Sequence, residues 1–422
     1  MKRSFISLVV AALIVGNISG VQAATNDTSN VSGNNSSNST SNENAINISL
    51  TNIKDIIIQN NQQAKIYENT RENTKLDYDN ANTAKNTAES NYNTAVSNYN
   101  TAESDYNTAL AKYNQDPANN TKPTAPTAVD KTALDTAELT LNKAKYSLRT
   151  ADNTYNQNMQ SLVETAQNDY ISYVLNDLPS KDYNTADVQA LKNAADAAKV
   201  QYDMGFISEN DYTTAQLNYT NALNSSNSSN DTEENDKAKL LNDLGLSSGE
   251  NVIFDTNLEQ DLKDVSTINY NNDLTQMFNN NLTLQNDNIA IEQASDNKDN
   301  YDGNSTDEND DNYDNTLEQY DNTLNSAQAK LVLDKNNAET NFKTKYDALM
   351  NSYATMKNSY NSLQQQNNSY DAEQVQYDYG FASKQAVDES KVNSLKTSES
   401  YQKDESTFYA NYLNYIDMKE GD

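Results

Sequence analysis

The stretch Tyr202-Asp203-Met204-Gly205-Phe206-Ile207-Ser208 recurs later in the chain as Tyr377-Asp378-Tyr379-Gly380-Phe381-Ala382-Ser383. Both copies lie between long segments with helical periodicity, and each contains one of only nine glycines in the chain. Glycine readily takes the left-handed conformation that ends a helix, so each copy predicts a sharp reversal between two helices. The sequence therefore predicts a duplicated helix–turn–helix unit.

Apolar residues at heptad spacing predict that the long helices pair as coiled coils. The first stripe contains Tyr78, Tyr92, Tyr99, Tyr106 and Tyr113, and its alanines lie three residues after each position of this register from 78 to 106, at Ala81, Ala88, Ala95, Ala102 and Ala109. A second stripe begins at Leu134, and a third runs from Tyr313 to Leu363. Steps of three and four residues are typical of coiled-coil seams. We therefore predict an all-α fold of duplicated long antiparallel coiled-coil helical hairpins.

The composition favours thin helical rods over large globular domains. Only 35% of the 422 residues are hydrophobic and tryptophan is absent, so the chain lacks the material for a large core. Disorder and long helices that bury one stripe both fit this composition, and the small numbers of proline and glycine favour helices. The net charge of −31 argues against nucleic acid as a partner, because phosphate binding needs clustered lysine and arginine.

The amino-terminal segment predicts export. Lys2 and Arg3 precede an apolar run from Phe5 to Val15 that is too short to span a bilayer, and Val21-Gln22-Ala23 resembles a cleavage site. No later segment is apolar and long enough to cross a membrane, so we expect no direct membrane span in the mature chain. The predicted segments are a signal peptide (1–23), a disordered leader (24–45), a first repeat (46–248), a linker (249–265) and a second repeat (266–420).

Several kinds of chemistry are excluded or disfavoured. The chain has no cysteine and no histidine, which excludes disulfides, thiol catalysis, the usual triads and histidine-based metal sites. An acidic segment at 299–314 carries Asp302, Asp307, Asp310 and Asp311, but it lacks calcium-loop spacing, so we expect a solvated loop. We expect no catalytic residue, no cofactor and no metal.

The ordered set of motifs resembles the TolC-like outer-membrane efflux protein family. Each half opens with an Ile/Leu-rich helix that ends in asparagines, Asn60-Asn61 and Asn279-Asn280-Asn281, and each half contains Tyr-x-x-Gly-x-x-Ser. The first half closes with Leu240-Leu241-Asn242-Asp243-Leu244-Gly245. The resemblance implies that three protomers close into a helical tunnel. It also implies that the glycine turns form an inner tip, which meets a periplasmic adaptor (membrane fusion) protein driven by an ABC-type or other pump.

The chain departs from the family where outer-membrane β-barrel strands are expected. Residues 116–130 hold three prolines, and residues 299–314 have no apolar face, whereas a membrane strand needs about ten residues with alternating apolar side chains. We therefore predict no β-barrel strands, which would suit a bacterium lacking an outer membrane. The spacing from Asn281 to Gly380 is also shorter than that from Asn61 to Gly205, so the second ascending arm is predicted to be short or broken.

The candidate functional residues lie at the two turns. The predicted tip and adaptor-contact residues are Gly205, Phe206, Ser208, Gly380, Phe381 and Ser383. Each phenylalanine either contacts a partner or packs on its own hairpin. By resemblance, Asp211, Tyr377 and Glu389 lie at the tunnel entrance. The favoured alternative for Asp211 is the first turn of a helix capped by Ser208, where the helix dipole stabilises an acid.

Three functions are compatible with these features. The first is a passive tunnel or scaffold of an export system. The second is a secreted coiled-coil structural or cell-surface protein without transport activity. An enzyme that acts on wall polymers is a third and weaker alternative, because nothing in the sequence indicates a walled pocket that would raise the pKa of one carboxylate of a pair.

Overall fold

The computed structural model describes residues 45–258, 265–304 and 313–421. Short strands β1 (Ile46–Ile48) and β2 (Val252–Phe254) are accompanied by long helices. The helices are α1 (Ile53–Asn60), α2 (Gln62–Gln115), α3 (Thr132–Ser172), α4 (Leu178–Asp203), α5 (Glu209–Asp243), α6 (Tyr270–Asn280), α7 (Leu282–Asn304), α8 (Tyr313–Asp378) and α9 (Lys384–Glu420). Tyr173–Asp177 form a π-helix between α3 and α4, and Val265–Thr267 form a 3-10 turn before α6. The predicted all-α architecture of long antiparallel hairpins is confirmed.

Helix boundaries follow local sequence signals. The Asn61 side chain accepts hydrogen bonds from the backbone of Gln63 (2.8 Å) and Ala64 (3.1 Å), which caps the start of α2. α2 ends directly before Asp116-Pro117, because proline cannot continue a regular helix. The connection 116–131, which the structure describes in full, contains no strand.

The continuous rod formed by α3 and α4 contains a π-helix that the sequence analysis missed. Pro179 lies one residue into α4, where its ring would clash with a carbonyl one turn earlier in a regular α-helix. The backbone N–H of Leu178 instead bonds to the carbonyl of Tyr173, five residues back. The wider turn therefore lets the rod pass through a proline without ending.

The densest core lies around the beginnings of the two halves. β1 and β2 pair in parallel, with Ile46 opposite Val252, so the start of the first half is joined directly to the segment that links the two halves. The buried ring of Tyr170 packs near Phe254, with ring centroids 6.3 Å apart. The core residues that are fully buried include Ile53, Ile57, Leu240, Leu244, Met277, Phe342 and Tyr415. Away from this region, the rods bury only a stripe.

The second half differs from the prediction at its acidic segment. α7 continues to Asn304, so residues 299–304 are helical and not a loop. Tyr301 provides the physical reason, because its ring packs on Tyr313 (5.6 Å) and Tyr320 (5.3 Å) of α8. Residues 305–312 lie outside the described residues. At 23 residues against the 54 of α2, the second ascending helix is short, as predicted.

The structure describes one of the two polar low-complexity segments of the chain. α5 runs without a break through the low-complexity stretch 224–235. The predicted signal peptide and leader lie outside the described residues, apart from residue 45. Within the described part of the chain, no helix has both the length and the hydropathy to cross a membrane.

Candidate functional site: the paired turns

The two repeated phrases form turns of the same geometry. Gly205 and Gly380 have φ angles of 76° and 78°, in the left-handed region that favours glycine. The backbone N–H of Phe206 bonds to the carbonyl of Gln201 at 2.8 Å, and that of Phe381 bonds to Gln376 at 2.7 Å. Each N–H one residue earlier bonds back to a tyrosine carbonyl. These paired bonds are a Schellman motif, which satisfies the last carbonyls of α4 and α8.

The aromatic side chains at the turns point away from the hairpins. Phe206 is 75% exposed and Phe381 is 84% exposed. Their neighbours Met204 and Tyr379 are 64% and 75% exposed. In the single chain, neither phenylalanine packs back on its own hairpin, so each turn presents an apolar surface to solvent.

The serines cap the helices that follow the turns, with one difference between them. Ser208 Oγ accepts a hydrogen bond from the backbone of Asp211 (3.2 Å), and the Asp211 carboxylate accepts one from the backbone of Ser208 (3.3 Å). This reciprocal pair is a capping box. Ser383 Oγ accepts from the backbone of Ala386 (3.1 Å), and alanine has no side-chain acceptor to return the bond.

Both turns lie at the same end of the molecule. α4 and α9 pack antiparallel, with Asn193 donating to Asp388 (3.3 Å) and Ser180 donating to Glu399 (2.6 Å). The end of α4 is therefore level with the beginning of α9. A groove of about 520 Å³ lies between the two helices close to the turns, and Leu191 is among its lining residues.

The three predicted entrance residues lie close to the turns, but the single chain does not bring them together. Asp211 is engaged by Ser208, which supports its helix-capping role. Tyr377 is 39% exposed on α8. Glu389 accepts from Gln385 (2.9 Å) and lines the groove between α4 and α9. A contact among the entrance residues would have to form between chains.

The charged residues that line the groove between α4 and α9 include an ion pair on the helix surface and a partly buried carboxyl group. Lys384 pairs with Asp388, which raises the pKa of the Lys384 ammonium. Partial burial raises the pKa of the Asp187 carboxyl, an effect that Lys396 opposes. Across the residues that the structure describes, no group of three or more carboxylates is arranged to hold a metal ion.

Comparison with solved structures identifies the fold. The CmeC outer membrane channel of Campylobacter jejuni superposes with a TM-score of 0.56 at 11% identity, over 88% of this chain and 85% of that chain. The CusC structure, described in terms of folding and transmembrane channel formation, gives 0.59 at 9% identity, over 88% and 92%. The MtrE outer membrane channel of Neisseria gonorrhoeae gives 0.53 at 9% identity, over 88% and 89%.

The chain has a TolC-like fold. At these identities, the similarity extends to the fold alone. No protein-family model matches the sequence, and no curated protein matches it.

Two close backbone contacts brace the TolC-like fold far from the turns. A Cβ at Gly245 would lie 2.5 Å from backbone atoms of Asn60 and Asn61, and a Cβ at Gly421 would lie 2.7 Å from the Asn280 carbonyl oxygen. Asn61 also donates to the Asp243 carbonyl at 2.8 Å. The end of each half therefore packs on the asparagines that open that half. Both asparagine motifs are apparent in the sequence, but the glycines that pack on them are not.

A buried polar cluster at the π-helix was also missed. Glu233, 7% exposed, accepts from the Tyr173 hydroxyl (2.7 Å) and from Lys181 (3.0 Å). Burial and the neighbouring carboxylates Asp236 and Glu233 raise the pKa of Asp177 to about 6. Pro179, inside a helical pattern, was the one sequence signal for this irregular site.

Proposed function

We propose that this chain is a subunit of a passive helical conduit or scaffold in an export system. In this proposal it works with an adaptor protein and an energised pump, such as an ABC-type transporter. The observation that carries the proposal is the pair of matching turns at one end of a TolC-like fold, each with an exposed phenylalanine. The shape of the helical assembly would be enough for this passive function. The described residues present long rods and surface stripes rather than a walled catalytic pocket.

The assembly proposed for the chain is a homotrimer made from duplicated halves. Each chain would contribute two hairpins, so three chains would place six phenylalanine turns on one rim. The half-buried stripes of the long helices support this arrangement, since residues such as Ala95 remain exposed in the single chain and suit close helix approach. Asp211, Tyr377 and Glu389 would then face neighbouring chains near the entrance.

The adaptor would dock on the exposed turns. Phe206 and Phe381 offer apolar side chains on rigid, hydrogen-bonded turns, so little conformational entropy is lost when a partner covers them. The net charge of −31 suits a partner whose matching surface is basic or apolar. The proposed location is the cell envelope or its exterior after signal-peptide cleavage, in a bacterium lacking an outer membrane.

The test is adaptor capture by a double variant, Phe206→Asp with Phe381→Asp. The adaptor is taken from the operon of this chain, and binding is measured by co-purification and biolayer interferometry. We expect at least a tenfold loss of affinity, because each buried aromatic anchor contributes about 2 kcal/mol at an interface.

The control replaces two residues of similar exposure far from the turns, Val332→Asp with Leu333→Asp on α8, which are 61% and 59% exposed. Equal binding by the tip variant and the wild type would refute adaptor docking at the turns. A chain that never associates and captures no export component would favour the secreted structural protein instead.

A further inference from the structure

α2 continues far beyond the point where its partner α3 begins. Arg71 bonds to Asp152 at 2.6 Å, which fixes the antiparallel register of the two helices. Counting the same number of residues from that pair, forward along α2 and backward along α3, places Lys131, the residue before α3, level with Tyr92. Lys131 and Tyr92 do lie close enough to interact electrostatically. Residues 93–115 of α2 therefore project past the start of α3 by about 34 Å, at about 1.5 Å per residue.

The chain returns along this projection. Asn120 donates to the carbonyl oxygens of Asp116 (2.9 Å) and Lys112 (3.4 Å), which folds the chain back at the end of α2. Residues 121–130 then form neither helix nor strand and reach α3, where Asp130 accepts from the backbone of Thr132 at 2.8 Å. In the polyproline II conformation, residues 121–131 would span about 34 Å, at about 3.1 Å per residue. The two lengths agree.

Burial in the returning segment has a period of three residues. Pro123, Pro126 and Val129 are half-buried, and every other residue from 121 to 130 is exposed. Three residues per turn is the repeat of the polyproline II helix, whereas a β-strand would alternate every two residues. One face of the segment is therefore covered, and the other two faces meet solvent.

The surface available to cover that face is the tyrosine stripe of α2. Tyr99, Tyr106 and Tyr113 are half-buried although they lie beyond the start of α3. Among the described helices, α2 packs mainly on α3 and, at its start, on α1, so neither helix accounts for this burial. One heptad of α2 rises about 10.5 Å, and three residues of polyproline II rise about 9 Å, so successive residues of one face can enter successive gaps between tyrosines.

We propose that the tyrosine stripe at 99–113 is a binding surface for a polyproline II ribbon, and that its occupant is residues 121–131 of the same chain. Pro123 and Pro126 fill gaps between tyrosine rings, in the way that aromatic-lined grooves bind Pro-x-x-Pro ligands. The result is a stalk of one helix and one ribbon at the end opposite the turns. This inference is independent of the proposed export function.

Spin-label distances provide the direct test, and the chain has no cysteine of its own to interfere. With the rises given above, Thr124 is level with Asn107, so labels on Thr124→Cys and Asn107→Cys should give a narrow distribution below about 20 Å. Labels on Thr124→Cys and Asn86→Cys should give a narrow distribution near 30 Å. Broad distributions for both pairs would overturn the proposal. A short distance that appears only after mixing singly labelled chains would also overturn it, because the occupant would then be a second copy.

Hydrogen exchange tests whether Pro123 and Pro126 hold the ribbon on the tyrosine stripe. Pro123→Ser with Pro126→Ser should accelerate exchange of the amides at 93–115 by about tenfold, because the uncovered end of α2 frays. The matched control is Thr124→Ser with Thr127→Ser, which changes exposed residues of the same segment and should leave the exchange unchanged. Equal exchange in both variants and the wild type would show that the prolines do not hold the ribbon on the stripe.

Discussion

Replacing Gly245 with alanine separates backbone strain from steric overlap, because the chain supplies its own control. Gly245 and Gly205 have almost the same φ, 78° and 76°, and both end a helix with a Schellman motif. A Cβ at Gly205 would meet nothing within 4 Å, whereas one at Gly245 would lie 2.5 Å from three backbone atoms of Asn60 and Asn61. The two substitutions therefore differ only in what surrounds the new methyl group.

The expected magnitudes follow from that difference. A non-glycine residue in the left-handed region costs about 1 kcal/mol, and this cost applies to Gly205→Ala and Gly245→Ala alike. The reduced entropy of the unfolded chain also applies to both and cancels in the comparison. Overlap with backbone atoms, which cannot rotate away, adds about 2 kcal/mol for Gly245→Ala alone. We expect totals of about 1 and 3 kcal/mol.

The assay is urea unfolding followed by circular dichroism at 222 nm, with both variants and the wild type measured at one pH and salt concentration. Gly380→Ala provides a repeat of the open case, because its Cβ also meets nothing within 4 Å. Equal losses in Gly245→Ala and Gly205→Ala would refute the close packing of α5 on the hinge between α1 and α2.

Three further predictions concern pH, capping and the core. The folded-state pKa of Asp177 is about 6 against an ordinary 3.8, so the free energy of unfolding should fall as pH rises between those values. Asp177→Asn should flatten that slope and stabilise the chain by about 1 kcal/mol above pH 6, after allowance for partial exposure; an unchanged slope in pH-dependent urea melts would contradict this. Ser208→Ala should increase amide exchange in the first turn of α5 more than Ser383→Ala does in α9, since only Ser208 belongs to a capping box; the reverse order would argue against the box. Phe342→Ala should cost about 4 kcal/mol in urea unfolding, because the ring is fully buried against Tyr415, and a loss below 1 kcal/mol would mean that the ring is not in the core.

The parts of the structure that could be predicted from sequence depend on local rules. Gly205 and Gly380 indicated the turns because a left-handed residue after a helix is determined within a few neighbouring residues. The heptad stripes indicated the long helices because the spacing of apolar residues along a helix is also a local property of the sequence. The spacing of Ser208 and Asp211 is that of a capping box, and the structure contains this capping box.

The parts that could not be predicted depend on distant pairing. β1 and β2 contain three residues each and lie some two hundred positions apart, and no local pattern indicates that Ile46 pairs with Val252. The helical state of residues 299–304 depends on ring contacts between Tyr301 and α8, which outweigh the acidic composition of the segment. The π-helix was readable in principle from Pro179, whose position inside a helical stripe calls for an irregular turn.

The central claim, that three chains with two hairpins each close into one conduit, is tested most directly by the mass of the processed protein in solution. Mass photometry at nanomolar to micromolar concentration should show a dominant species with three times the mass of one chain. A single-chain mass across the whole concentration range, with the helical signal intact, would contradict the conduit and leave a monomeric helical protein in its place.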